Sequence, residues 1–181
     1  MNGAVYFNHG KESGPWGDKI TRLAEVARSR GYNAESLDYS GMDAETRITK
    51  LLASNAGTEH PLILVGSSMG AYVAAVASAS LHPKGLFLLA PAFYLSDFAV
   101  QEPVPHADFV TIVHGWNDEL IPYENSIRYA GKFKATLHLV DGDHRLSSQL
   151  PLIASLFDAF LAQFLVTKIP ANGDLSALGG T

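Results

Sequence analysis

The strongest constraint on the fold of this chain is a pair of short apolar runs with no period-2 alternation. Pro61–Gly66 reads Pro-Leu-Ile-Leu-Val-Gly, and Gly85–Ala90 reads Gly-Leu-Phe-Leu-Leu-Ala. A strand that is apolar on both faces must be covered on both faces, which is the situation of a parallel sheet sandwiched between helices. Four further runs, Ala4–Asn8, Asn33–Tyr39, Phe109–His114 and Thr136–Val140, read as strands. Longer amphipathic stretches separate them. Trp16–Arg30 places Ile20, Leu23, Ala24 and Ala27 at helical spacing, and Gly31 follows as a helix stop. Asp43 can cap a helix carrying Ile48, Leu51 and Leu52. Met69–Ser80 is rich in Ala and Ser, which suits a helix lying close to the sheet, and Tyr123–Lys132 reads as another helix. Leu150–Leu165 sets Ile153, Leu156, Phe157, Phe160, Leu161 and Phe164 on one face. Strand and helix thus alternate about six times, which predicts an α/β fold with a six-stranded, mainly parallel sheet.

At 181 residues the chain can bury one substantial core and is short for two ordinary domains. We therefore expect a single domain over 1–168 and a Gly-rich polar tail over 169–181. Apolar residues make up 47% and charged residues 17%, a balance that excludes disorder, collagen and coiled coil. Lys and Arg total 13 against 18 Asp and Glu, a formal charge of −5. No basic run exceeds the Lys132/Lys134 pair, so neither nucleic acid nor an anionic membrane is an expected partner. Without cysteine there is no disulfide, no Cys-ligated zinc and no thiol catalysis. The N-terminal residues lack the basic and apolar regions of a signal peptide. No apolar stretch reaches about 18 residues. The expected location is the cytoplasm.

Gly66-Ser67-Ser68-Met69-Gly70 has the form G-x-S-x-G between a buried strand and a helix. That context is the nucleophile elbow, in which the central serine stands on a strained turn at the C-terminal edge of the sheet. The flanking glycines leave room where a Cβ would strike a neighbouring strand or helix. At the N-terminus of a helix, partial positive charge favours a developing oxyanion. The same residues could also form a plain Gly/Ser helix cap or a phosphate-cradling loop.

A serine hydroxyl needs a general base. His144 lies in Asp141-Gly142-Asp143-His144-Arg145, after the last strand and on the same sheet edge as the elbow. The other histidines are placed less well. His60 and His82 precede prolines at strand entrances, His106 is in the irregular segment, His138 is inside a strand, and His9 and His114 belong to His-Gly turns. Asp118, in the turn after the fifth strand, is the expected orienting acid. Asp141 and Asp143 are too close to His144 on a tight loop to reach its far ring nitrogen, and are expected to hydrogen-bond within that loop. The resulting order is Ser68, Asp118, His144.

With these residues in place, the sequence resembles the α/β-hydrolase superfamily, especially its small, nearly lidless bacterial serine hydrolases. The resemblance covers about residues 3–165 and rests on Asn8-His9-Gly10, the Gly66–Gly70 elbow, His114-Gly-x-x-Asp118 and Gly142-Asp143-His144. It implies strand order 2-1-3-4-5-6 with helices on both faces, and the sequence departs from the family pattern in two places, with the usual N-terminal hairpin missing and the cap reduced to Pro91–Ala107. It also implies an oxyanion hole made by the backbone N–H groups of Lys11 and Met69, with His9 bracing the loop. No metal or organic cofactor is implied. Trp16, Phe93, Tyr94, Phe98 and Trp116 cluster in the loops facing this edge and are candidate walls of an apolar substrate pocket.

The function these features predict is hydrolysis of small carboxylic esters or thioesters through an acyl-enzyme. A ligand-binding protein on the same fold is a second reading, since fold does not fix function. A peptidase, lactonase or acyltransferase with the same triad is a third. A nucleotide binder is the weakest, because neither G-x-G-x-x-G nor G-x-x-x-x-G-K-[ST] occurs.

Overall fold

The computed structural model describes residues 3–58 and 60–164. Its strands are β1 (Ala4–Asn8), β2 (Asn33–Ser36), β3 (Leu62–Ser67), β4 (Gly85–Leu89), β5 (Phe109–Gly115) and β6 (Thr136–Val140). They form one sheet in the order β2-β1-β3-β4-β5-β6, and every neighbouring pair is parallel. The helices are α1 (Asp18–Ser29), α2 (Ala44–Leu52), α3 (Met69–Leu81), α4 (Tyr123–Phe133) and α5 (Leu150–Ala162).

The doubly apolar strands divide their side chains between two cores. Val5, Phe7, Ile63, Val65, Phe87 and Leu89 face one way and meet α1 and α5 through Leu23, Ala27, Phe157 and Phe160. Ala4, Tyr6, Leu62, Leu64, Leu86 and Leu88 face the other way, toward Leu51 of α2, Tyr72 and Val73 of α3, and Tyr129 of α4. The alternation along each strand is the pleat itself. What makes it invisible as polarity is that both faces are dry.

Several element ends shift by one or two residues from the sequence reading, the last helix stops at Ala162, short of Leu165, and two further differences have a clear physical cause. β2 ends at Ser36 instead of Tyr39, because the Tyr39 N–H leaves the sheet and donates to His9 Nε2 at 2.9 Å. In the Asp43-capped helix Leu52 is exposed, and Arg47 takes a buried place beside Leu51. The cap itself is as expected, with Asp43 Oδ1 accepting from Thr46 N at 2.8 Å. Leu165, assigned to the last helix, and the 169–181 tail lie outside the described residues. Among the described residues no helix is long and apolar enough to cross a membrane.

Register sets up the site. Asn8 pairs with Gly66, Ser67 with Leu89, Leu89 with Val113, and Gly115 with Val140. The loops after β1, β3, β4, β5 and β6 therefore leave from one edge of the sheet. The chain reverses its direction of strand addition between β1 and β3, which opens a crevice at that edge.

Candidate active site

Ser68 follows β3 and is the N-cap of α3, with φ 54° and ψ −119°. A non-glycine residue with positive φ costs of order 1–3 kcal/mol and persists only where its surroundings impose it. Here they do. A Cβ on Gly66 would collide with Ala71 and the Gly70 carbonyl, and one on Gly70 with the backbone of Asn8. Only glycine lets strand, turn and helix come this close, so the turn is forced and Ser68 is pushed out at the sheet edge.

His144 Nε2 lies 3.1 Å from Ser68 Oγ, and His144 Nδ1 lies 2.7 Å from Asp118 Oδ2. With Nδ1 donating to the carboxylate, Nε2 is left to accept the serine proton. Asp118 is fully buried at its side chain and takes more than this one bond. Its Oδ1 accepts from Leu120 N and Ile121 N, both at 2.9 Å, and its Oδ2 also accepts from His114 Nε2 at 3.0 Å. Burial alone would raise its pKa, but the bonds from Ile121, His144 and Leu120 outweigh it and hold the carboxyl below its usual range. It is therefore an anion at neutral pH.

His114 is equally buried and spans Asp118 Oδ2, Ile121 O at 3.1 Å and Ser126 Oγ at 2.7 Å. Its Nε2 faces two acceptors, so the network places the proton there and leaves Nδ1 to accept from the Ser126 hydroxyl. Burial holds its pKa below the ordinary value of 6.5, which keeps the ring neutral. The acid and base loops are fastened to each other as well. Trp116 N donates to Val140 O at 2.9 Å and Asn117 N to Gly142 O at 3.0 Å. Asp141 and Asp143 stay within these loops, accepting from Asn117 Nδ2 and Leu146 N, each at 2.9 Å.

On the other side of Ser68 stands the Asn8-His9-Gly10 loop. A Cβ placed on Gly10 would lie 3.7 Å from Ser68 Cβ. His9 Nδ1 donates to Gly10 O at 2.7 Å. Lys11, Ser68 and Met69 line one cavity of about 300 Å³, with Ala92, Leu95 and Phe98 forming its apolar wall. Asp43, Glu45 and Asp97 also border it.

Of the five aromatic residues proposed as pocket walls, the structure brings only Phe98 to this cavity, where it stacks on Tyr72 at 4.3 Å. Phe93 is wholly buried and stacked on Tyr129, so it cannot meet a substrate. Tyr94 turns outward, donates to Glu102 and lies under Arg128. Trp16 packs under Arg28, and Trp116 lies edge-on to Tyr123. Of these four only Phe93 is buried; Tyr94 is half-buried, and Trp16 and Trp116 remain exposed, each held against a neighbour away from the cavity.

Lys19 is a further member of the site that nothing in the sequence marked. It projects from α1 and donates from Nζ to Ser67 Oγ at 3.0 Å, directly beside the elbow. Burial pulls its pKa down to about 8, against the opposing charges of Asp143 and Asp118.

No protein-family model matches the chain, and neither does any curated protein. Solved structures do. A protein from Xanthomonas campestris pv. campestris assigned to the hydrolases of the alpha/beta superfamily is 32% identical, with a TM-score of 0.82 over 90% of this chain and 99% of its own. An esterase from Pyrococcus furiosus is 16% identical, with a TM-score of 0.73 over 91% of this chain and 83% of its own. A serine hydrolase without a lid from Xanthomonas campestris is 19% identical, with a TM-score of 0.67 over 93% and 83%. These last two share the fold.

Proposed function

The chain belongs to the α/β-hydrolase superfamily, and from that premise we propose that it hydrolyses small carboxylic esters or thioesters through a Ser68–His144–Asp118 triad. The observation that carries this reading is the continuous relay from Ser68 Oγ through the imidazole to Asp118, with links of 3.1 and 2.7 Å. Ser68 Oγ attacks the substrate carbonyl while His144 Nε2 takes its proton. Asp118 stabilises the imidazolium that results. The N–H groups of Met69 and Lys11 receive the oxyanion, the first of them at the start of α3 where the helix dipole adds positive potential. His144 returns the proton to the leaving alcohol or thiol, then activates water to release the acid from Ser68. The cavity of about 300 Å³ suits a small-molecule substrate.

The test is covalent labelling and turnover. A fluorophosphonate probe is expected to attach at Ser68, and Ser68→Ala to abolish labelling and lower kcat on p-nitrophenyl acetate by about 10⁴–10⁶-fold. A Ser68→Ala variant that keeps a tenth or more of the activity, or a probe that leaves Ser68 unmodified, would make the fold a binding scaffold or move the chemistry elsewhere.

A further inference from the structure

A charge that takes no part in the chemistry above holds the loop behind Lys11. Arg47 on α2 is 1% exposed. Its Nε donates to Met42 O at 3.0 Å, while its Nη1 reaches His9 O at 2.8 Å and Gly10 O at 3.4 Å. Among the described residues no carboxylate lies within ion-pair distance of it. Its flat face lies 5.5 Å from the centre of the Tyr39 ring, and the Tyr39 hydroxyl donates to Asn8 Oδ1 at 2.8 Å. A buried cation without a counter-ion is costly, and an apolar side chain would fill the space more cheaply.

A trans peptide group is planar, so its C=O and N–H point in opposite directions. Holding the Gly10 carbonyl therefore aims the N–H of Lys11, which belongs to the same peptide group. Three donors converge on that carbonyl: His9 Nδ1 at 2.7 Å, Arg47 Nη1 at 3.4 Å and Ser13 Oγ at 3.5 Å. Holding the His9 carbonyl fixes the preceding peptide group in the same way. We infer that Arg47 is a positioning residue that aims the Lys11 N–H at the oxyanion formed on Ser68. The inference rests on the serine-hydrolase reading. The guanidinium also polarises the two peptide groups in the sense that strengthens their N–H donors. Among the described residues no paired carboxylate weakens that effect. Fixed donors of this kind act on the transition state more than on the bound substrate.

The experiment compares the wild-type protein with Arg47→Lys and Arg47→Met, using p-nitrophenyl acetate, phenylboronic acid as a tetrahedral mimic, and acetate as a planar product. We expect Arg47→Met to lower kcat about 100-fold with KM changed less than about threefold, and boronate affinity to fall in proportion. Acetate affinity should hardly move. Arg47→Lys keeps the charge without the fork and should fall between. A purely structural residue would lower thermal stability and leave the ratio of boronate to acetate affinity unchanged. In case neither variant folds, the wild-type protein gives its own reading, because the Lys11 amide proton should shift downfield when boronate binds. An unmoved Lys11 amide, or variants that keep boronate affinity within threefold, would overturn the role of Arg47. If the wild-type protein itself neither turns over ester nor takes boronate at Ser68, the hydrolase reading falls first.

Discussion

Asp118 accepts four hydrogen bonds on two oxygens: two from backbone amides, one from His144 and one from His114. Each lobe of the carboxylate is committed. Asp118→Asn would turn one of those acceptors into a donor facing ring N–H groups, favour the wrong tautomer of His144 and remove the charge that stabilises the imidazolium. We expect kcat to fall by up to about 10⁴-fold on a non-activated ester. Asp141→Asn and Asp143→Asn should stay within about threefold, because those carboxylates bond to Asn117 and Leu146 outside the relay. A larger loss from Asp143→Asn would show that the wrong acid has been assigned. The relay residues were legible because each sits at a motif with few alternatives. Arg47, Lys19 and Ser126 were not. An arginine or lysine in an amphipathic helix reads as solvated, and only tertiary structure shows that α1 and α2 turn these two toward the loops. Four of the five pocket aromatics lie away from the cavity for the converse reason. Being near the edge in sequence does not say which way a large ring turns: the interior takes Phe93, while Arg28, Arg128 and Tyr123 hold Trp16, Tyr94 and Trp116 away from the cavity.

Among the elements, the amphipathic helices were readable from periodicity and the central strands from its absence, since short dry runs and an Ala-rich helix have few other uses. The end of β2 was not, because the apolar Tyr39 is buried against Arg47 and Asn8 and not in the sheet. The connection between β4 and β5 carries a functional consequence. It contains no helix or strand and is stitched onto α3, with Val100 N donating to the Tyr72 hydroxyl at 3.2 Å and His106 N to Ser78 Oγ at 3.0 Å. We expect a segment held in this way neither to swing as a lid nor to wall a tunnel. Each buried CH₂ contributes about 0.8 kcal/mol only where a wall exists. Across a series of p-nitrophenyl esters, kcat/KM is expected to peak at about two to six acyl carbons and then fall, without interfacial activation. A rate still climbing beyond about ten carbons would mean an open groove that this cavity does not account for.

For the molecule as a whole, acid stability is tied to the site. His9 and His114 are both fully buried, and burial holds each below the ordinary 6.5. Between their folded and unfolded values the unfolded chain binds more protons, so stability falls as pH drops below about 6.5. Asp118, also depressed, adds a further loss below its ordinary 3.8. Thermal melts from pH 7.5 to 5 should show a falling Tm, with a shallower slope in His114→Gln. Parallel slopes in the two proteins would mean that this ring is not held neutral.

The position of β1 bears on how the protein is made. It precedes the other five described strands, yet it lies inside the sheet with β2 on one side and β3 on the other. As the chain leaves the ribosome, β1 can pair with β2, but its second edge stays bare until β3 emerges. That edge belongs to Ala4–Asn8, an apolar segment with strand propensity, and it is a template for any neighbouring nascent chain. Arrival of β3 closes it and in the same step sets Asn8 beside Gly66. The pairing that covers the second edge of β1 is therefore also the one that first brings the loop bearing Lys11 to the turn bearing Ser68.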